Sequence, residues 1–469
     1  MAKKTKTKFD WRITSMVALA VFAQEVTWNF YDAQVPPLLR EHVTSAALIG
    51  LFMGLDNFLG IFIQPWLGNI SDRTRTRRGR RMPFIIVGMP LAAVFFVCIP
   101  YAPNLPLLVA FMVAYAVVAK GFKPVAEALM PDYIGPEHRS RANAIVKVAT
   151  TLTLVVSALI SLFVIDEHPQ LAFAIPAAIM VAIGVVLWLQ VNDSESPGYQ
   201  AAVAEAQDKP EERAPRVRTV LWRFLTNPDR SGLFMLLVVF AFAGAWAASR
   251  SLLTTFGIET LGMTRGRAGA LGLAASIIFI AAAIPTALIA ERIGRIKTIG
   301  AGIVLFGVGI AVATAVPSEL GVEIALCLCG IGYAGYAINA VVVFWNLSSA
   351  RTLGTYTGFY AIASASGAAT GPAIVGVLVD LTGWRLMFLD TGILALAALA
   401  FLLAVAHYAK RNPTTPEPGV SAGPARAAAS GEQTSGSQSP ASQTVAAAIP
   451  EPEATPGGVQ PTSMEGDRK

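Results

Sequence analysis

Apolar residues in this chain come in long unbroken runs, not in strict alternation or in narrow stripes. The runs cover residues 15–36, 46–67, 83–101, 105–129, 142–165, 171–191, 231–256, 268–290, 298–316, 321–347, 355–379 and 386–408. Each approaches the roughly 20 residues that a helix needs to cross a bilayer. The pattern predicts an all-α membrane protein with twelve transmembrane helices. A polar stretch, 192–230, divides them six and six. It predicts an N-terminal six-helix bundle over 1–191, a cytoplasmic linker over 192–230 and a C-terminal six-helix bundle over 231–410. Residues 411–469 are rich in Pro, Ala, Ser, Gly and Thr without periodicity, and read as a disordered tail that buries no core.

Composition agrees with the runs. Apolar residues make up 54% of the chain, charged residues 14%, and the mean hydropathy is +0.56. Those values exclude a soluble domain. The net charge of +6 does not point to nucleic acid, because the basic residues cluster in short segments between apolar runs. Lys and Arg crowd the side of the membrane that holds the N-terminus and the even-numbered loops, whereas the other side carries Arg40, Arg265, Arg267 and Arg385. That asymmetry predicts cytoplasmic termini and a multi-pass protein of a bacterial inner membrane. The basic N-terminus leads into an apolar run that contains Gln24 and Glu25 and lacks a small-residue cleavage site, so it reads as a retained first span. Cys327 and Cys329 point about 200° apart on a helix and read, with Cys98, as packing residues. Three of the four histidines lie outside the runs and His407 sits at the end of the last one, and no nucleophile–base pair or metal-ligand spacing appears. An enzyme is the remotest reading, and neither cofactor nor metal is expected.

The most concentrated chemistry lies in 68–81, GNISDRTRTRRGRR. Six arginines (Arg73, Arg75, Arg77, Arg78, Arg80 and Arg81) in so short a loop resist transfer across a bilayer and anchor it in the cytoplasm. The order Gly68, Asp72-Arg73, Gly79-Arg80-Arg81 resembles the loop between helices 2 and 3 of the major facilitator superfamily, usually G-x-x-x-D-R-x-G-R-R. Four extra residues separate the Asp from the second Gly here. That longer form, with Gln64-Pro65 before it and Pro83-Phe84 after it, is similar to the sucrose:proton symporters and their glycoside-pentoside-hexuronide:cation relatives. The resemblance implies the major facilitator fold, two pseudo-symmetric six-helix bundles.

The second half repeats the loop in degraded form as Glu291-Arg292-Ile293-Gly294-Arg295, at the equivalent place after the eighth run. A further loop, residues 130–143 with Asp132, Arg139 and Arg141, resembles a PD-x-x-P-E-x-R-x-x-A-N signature of the same families. Together these loops predict a gating latch in which Asp72 caps a neighbouring helix or pairs with Arg139 or Arg141 when the inner side is closed.

A charge at mid-bilayer costs roughly 2.5–3.5 kcal/mol on insertion scales, so it faces the bundle interior and has a partner. The first half holds Glu25, Asp32, Asp56, Lys120, Lys123, Glu127 and Lys147 inside spans; the second holds Arg250, Glu323 and Asp390. Glu25 and Asp32 are about 20° short of two full turns apart and share a face with Asn29. Glu127 with Lys147 reads as a structural ion pair. Glu25, Asp56 and Asp32 are the candidate proton carriers, since burial and a nearby lysine act on a carboxyl in opposite senses. Asn29, Asn57, Lys120, Lys123, Asn339, Trp345 and Tyr360 are the candidate solute contacts. Gly358, Gly367, Gly371 and Gly376 read as close helix packing.

The resemblance implies that an acid on span one, two or four and a base on span four serve the coupling ion and the sugar. Lys123-Pro124 stands where many relatives carry Arg-x-Pro. Gly60 and Gln64 stand where the sodium-coupled type has paired aspartates, which favours protons over sodium. The expected function is therefore a secondary active transporter of a small polar solute, a sugar or glycoside, coupled to protons by alternating access. The alternatives are a proton-coupled exporter of small organic compounds and a non-transporting membrane receptor.

Overall fold

A computed structural model describes residues 10–134, 138–197, 199–200, 230–346 and 353–411. The tail beyond Arg411 and most of the expected linker lie outside the described residues, as do the side chains of Arg139, Arg141 and Trp345. The described chain is helical, with α1 (Trp11–His42), α2 (Ala46–Arg73), α3 (Met82–Cys98), α4 (Leu105–Tyr133), α5 (Arg139–Phe163) and α6 (Pro169–Gln190) in the first half. The second half holds α7 (Ser231–Ser251), α8 (Leu253–Leu261), α9 (Arg265–Ala270), α10 (Leu273–Ile293), α11 (Arg295–Ala315), α12 (Glu319–Asn346), α13 (Leu353–Thr382) and α14 (Met387–Arg411).

Helix starts follow local side-chain chemistry. Asp10, Ser45, Asn104 and Thr264 each accept a hydrogen bond from a first-turn backbone N–H, which would otherwise be orphaned. Among the described residues eleven helices are long and apolar enough to cross a bilayer. The first predicted span is not among them, although α1 has 32 residues and a length of about 48 Å. Gln24, Glu25, Asn29, Asp32 and Gln34 lower its apolarity, and it packs centrally against α4, α5 and α6. Two predicted spans are broken. The run 231–256 turns at Leu252 between α7 and α8, and α9 precedes α10 across Leu271 and Gly272.

The helices wear their apolar side chains outward. On α2, Leu51, Phe58, Phe62 and Trp66 are exposed while Asp56 is buried, the arrangement lipid demands. In the first half α3 packs on α4 and α6, and an aromatic core gathers Phe30, Phe96, Tyr115 and Phe173. In the second half α7 packs on α13 and α14, α11 on α12 and α14, and α10 on α12. The halves meet along α2 and α13. There a Cβ added at Gly50 would collide with the carbonyl of Pro372, one at Gly54 with that of Ala369, and one at Gly376 with that of Ala46. Only glycine lets backbones approach this closely.

Candidate functional site

A cavity of about 580 Å³ lies between the halves, within the range of about 300–1,000 Å³ typical of small-molecule sites. The first half lines it with Glu25 and Asn29 of α1, Lys123 and Glu127 of α4 and Lys147 of α5. The second half contributes Trp246 and Arg250 of α7, Phe279 of α10 and Tyr333 of α12. Val17, Met130 and Val146 continue the wall toward the end that carries the arginine-rich loop. A smaller cavity of about 80 Å³ lies beyond it and shares Asn29, Trp246, Arg250 and Ser276.

The wall is chemically lopsided. Charge comes mainly from the first half, where Lys123 Nζ donates to Glu25 Oε1 at 3.0 Å. The second half presents an aromatic plate, with Trp246 stacked on Tyr333 at 3.8 Å and 5°. Its one charged contribution is Arg250, which donates to Asn29 Oδ1 at 3.2 Å and stands 3.9 Å from Asp32. Asp32 lines only the smaller cavity.

Asp56 and Lys120 form a second pair at 2.9 Å, with both side chains buried. Lys120 also donates to Asn57 Oδ1 and lies 4.2 Å above the Trp28 ring, which stacks on Tyr31 and Tyr115. Asp56 on α2 draws Lys120 into the α2–α4 contact, so Asp56, Asn57 and Lys120 do not line the large cavity. Asn339 is fully buried beside Arg295, and Tyr360 packs on Phe344. Neither lines the cavity, so Asn29 and Lys123 are the solute candidates with described side chains that do. The expected Glu127–Lys147 ion pair is not formed: both side chains are exposed in the cavity, without an ion pair among the described residues.

The arginine-rich loop folds onto its own half. Arg80 grips Asp132 with two hydrogen bonds, at 2.6 and 3.2 Å, and Arg81 Nε donates to the same carboxylate at 3.0 Å. Asp72 pairs with Arg81 at 2.6 Å. Asp193, just past α6, accepts from the backbone N–H of both Arg80 and Arg81 at 2.7 Å each, capping the start of α3. Gly79 makes this possible, because its φ of 91° disfavours any side chain and a Cβ would strike Asp193. Burial works against the Arg80 charge, but Asp132, then Asp72 and Asp193, outweigh it and raise the guanidinium pKa. Arg73 is exposed at the end of α2, and a Cβ at Gly68 would meet open space. Glu291 and Arg292 are exposed, and Arg295 reaches Asn339 Oδ1 at 3.4 Å. The described hydrogen bonds and ion pairs of the loop stay within the first half and the residues just past α6, with none to α7–α14.

The opposite end is bolted shut across the halves. Asp380 of α13 accepts from Ser45 Oγ at 2.6 Å and from the N–H groups of Ala46 and Ala47 at 2.6 and 3.1 Å, capping α2. Arg265 donates to the side chain and carbonyl of Gln34, each at 2.8 Å. Asp166 accepts from Gly266 N–H, and Arg40 pairs with Glu259 at 2.7 Å. Sequence reasoning gave no role to Trp246, Arg250, Arg265, Gln34, Asp193 or Asp380. Arg250 alone carried a signal, as a charge inside a predicted span.

Comparison with known proteins agrees with this geometry. A bacterial homologue of the human lysosomal transporter Spinster, solved inward-facing and occupied, shares 16% identity. It aligns over 89% of this chain and 100% of its own, with a TM-score of 0.67. The nucleoside transporter NupG aligns at 12% identity over 85% and 100%, with a TM-score of 0.69. The peptide transporter POT in complex with sulfate does so at 14% over 85% and 94%, with a TM-score of 0.67. Among curated proteins, Membrane-associated transporter protein of Homo sapiens is 34% identical over 71 residues, 15% of this chain and 13% of its own length. Solute carrier family 45 member 3 of Mus musculus is 39% identical over 70 residues, with the same shares. The match thus spans only a small part of these relatives. The sequence model of the Major Facilitator Superfamily matches residues 17–274 and 235–434. With a helical fold over the described residues, a cavity between two halves and a family match along most of its length, the chain belongs to the Major Facilitator Superfamily, a family of multi-pass membrane transporters.

Proposed function

We propose that the chain moves a small polar solute, a sugar or glycoside, in symport with protons. The carrying observation is the Glu25–Lys123 pair in the wall of the central cavity, facing the Trp246–Tyr333 plate. Loosening of that pair, by a proton or by a competing solute hydroxyl, frees the Lys123 ammonium to donate to the solute. The aromatic plate suits the apolar face of a sugar ring, and Asn29 and Arg250 offer further hydrogen-bonding groups. The deep carboxylates face ammonium groups, not further oxygen ligands, which suits protons better than sodium. The resemblance of residues 68–81 to the sucrose:proton and glycoside:cation symporters supports the same reading. On this reading residues 1–191 and 231–410 are the two rocking bodies, 192–230 links them, and the arginine-rich end faces the cytoplasm of a bacterial cell.

One proton entering across 100 mV supplies about 2.3 kcal/mol, which supports roughly 40-fold accumulation before any pH gradient is added. The test is purified protein in liposomes with an imposed inward proton gradient and radiolabelled sucrose or maltose. Uptake should follow the gradient and be lost in Glu25→Gln. Gradient-independent uptake, or an active Glu25→Gln, would overturn the proposal.

A further inference from the structure

Proton-driven transport needs more than a carboxylate that titrates. The proton must be held with different free energy in the two states between which the transporter alternates. When two packed bodies rock, contacts inside each body persist and contacts between them break. Glu25 with Lys123 and Asp56 with Lys120 are of the persistent kind, because α1, α2 and α4 all belong to the first half. Asp32 is of the other kind. Its charged partner, Arg250 at 3.9 Å, is on α7 of the second half, and the same guanidinium is tied to Asn29.

Other ties also cross between the halves, at Arg40–Glu259, Arg265–Glu41 and Asp380 on the start of α2. None of those groups lines either cavity. Arg250 and Asn29 line both, and so form a partition between the large cavity and the small one that holds Asp32. A solute in the large cavity therefore meets a guanidinium that Asp32 already engages from behind.

We infer that Asp32 and Arg250 form the coupling pair: protonation of Asp32 loosens the tie between the halves and releases Arg250 to the solute. This rests on the proton symport proposed above. The chemical step is transfer of a proton from a hydronium ion in the cavity to an Asp32 carboxylate oxygen, leaving neutral water, while Arg250 keeps its charge throughout. Arg250 on α7 faces Asp32 directly; Asp56 on α2, Lys120 and Lys123 on α4 and Glu25 on its own helix are further charges around it, with the Tyr31 and Tyr115 hydroxyls. The groups that α5, α8 and α10 add to the same space, including Ser157, Thr254 and Ser276, do not titrate. Glu25 then serves solute binding, and Asp56 holds Lys120.

The experiment uses full-length protein freed of Cys98, Cys327 and Cys329, carrying Ser157→Cys, a buried α5 position in the wall of the small cavity. A membrane-impermeant maleimide applied from the closed end reads opening of that end at pH 5.5 and pH 8, with no solute present. Because maleimide is attacked by the thiolate, each rate is divided by that of the same cysteine in denatured protein at the same pH, and the corrected labelling should rise at least tenfold at the lower pH. Adding Asp32→Asn should make it fast and independent of pH, and Glu25→Gln should leave the pH dependence in place. In liposomes, Asp32→Asn should retain counterflow of sucrose or maltose while its proton-driven accumulation falls from about 40-fold toward one. Persistent pH dependence or accumulation in Asp32→Asn overturns the assignment. So does a retained tie, read as slow labelling in that variant at both pH values. Labelling that depends on Asp32 in a protein that accumulates neither sugar would strike the sugar reading and leave the coupling pair standing.

Discussion

Lys120 shows what a buried cation requires in this protein: a carboxylate at 2.9 Å, an amide oxygen and an indole face. Removing one partner of such a pair leaves an uncompensated charge, a loss of about 3–5 kcal/mol, whereas removing both is far milder. Asp56→Asn and Lys120→Met should therefore each lower the melting temperature in detergent, and the double variant should recover most of the loss. Gly79 is the backbone counterpart. Alanine there meets a left-handed penalty of about 1–2 kcal/mol and displaces Asp193 from the start of α3. Gly79→Ala should destabilise the protein measurably in the same assay, whereas Gly68→Ala, with open space around it, should not.

At the scale of elements, most of the helices were legible because lipid imposes a simple rule: a run of apolar residues long enough to span is a span. Where that rule competes with function it blurs. The first helix carries its polar residues on a buried and cavity-facing side, and so escapes an apolarity criterion while occupying the middle of its bundle. The break at Leu252 carried no Gly or Pro to mark it, and the polar Ser249-Arg250-Ser251 before it read as part of the span. The loop motif was readable, but its partners were not. Asp132 lay in a second recognisable signature, whereas Asp193 was hidden in a stretch that read as linker; Asp72, expected to meet Arg139 or Arg141, whose side chains lie outside the described residues, pairs here with Arg81. Lys123 was singled out by its spacing and by the resemblance at Lys123-Pro124, and Asn29 by its place between Glu25 and Asp32; Trp246 was not, because an aromatic residue in a span is usually packing. Asp132→Asn would strip Arg80 and Arg81 of their shared carboxylate, so limited proteolysis should cut the 74–81 loop faster in that variant while α7–α14 stay protected.

Considered whole, the molecule is held together at one end and parted at the other. Arg40, Arg265 and Asp380 join the halves on one side, while the described bonds of the arginine-rich loop on the other go to its own half and to Asp193 just past α6. Cysteines placed at Val146 and Met130 should react with an impermeant maleimide from the arginine-rich side and stay protected from the other. Fluorescent and alkaline-phosphatase fusions at the N-terminus would check that this side is the cytoplasm: fluorescence without phosphatase activity is the expected result. The glycine contacts of α2 with α13 bear on how such a body can move. Where main chain rests on main chain with no side chain between, there is no slack for one half to slide along the other. What remains is a swing about that line, so one mouth can shut only by the same arc through which its counterpart gapes.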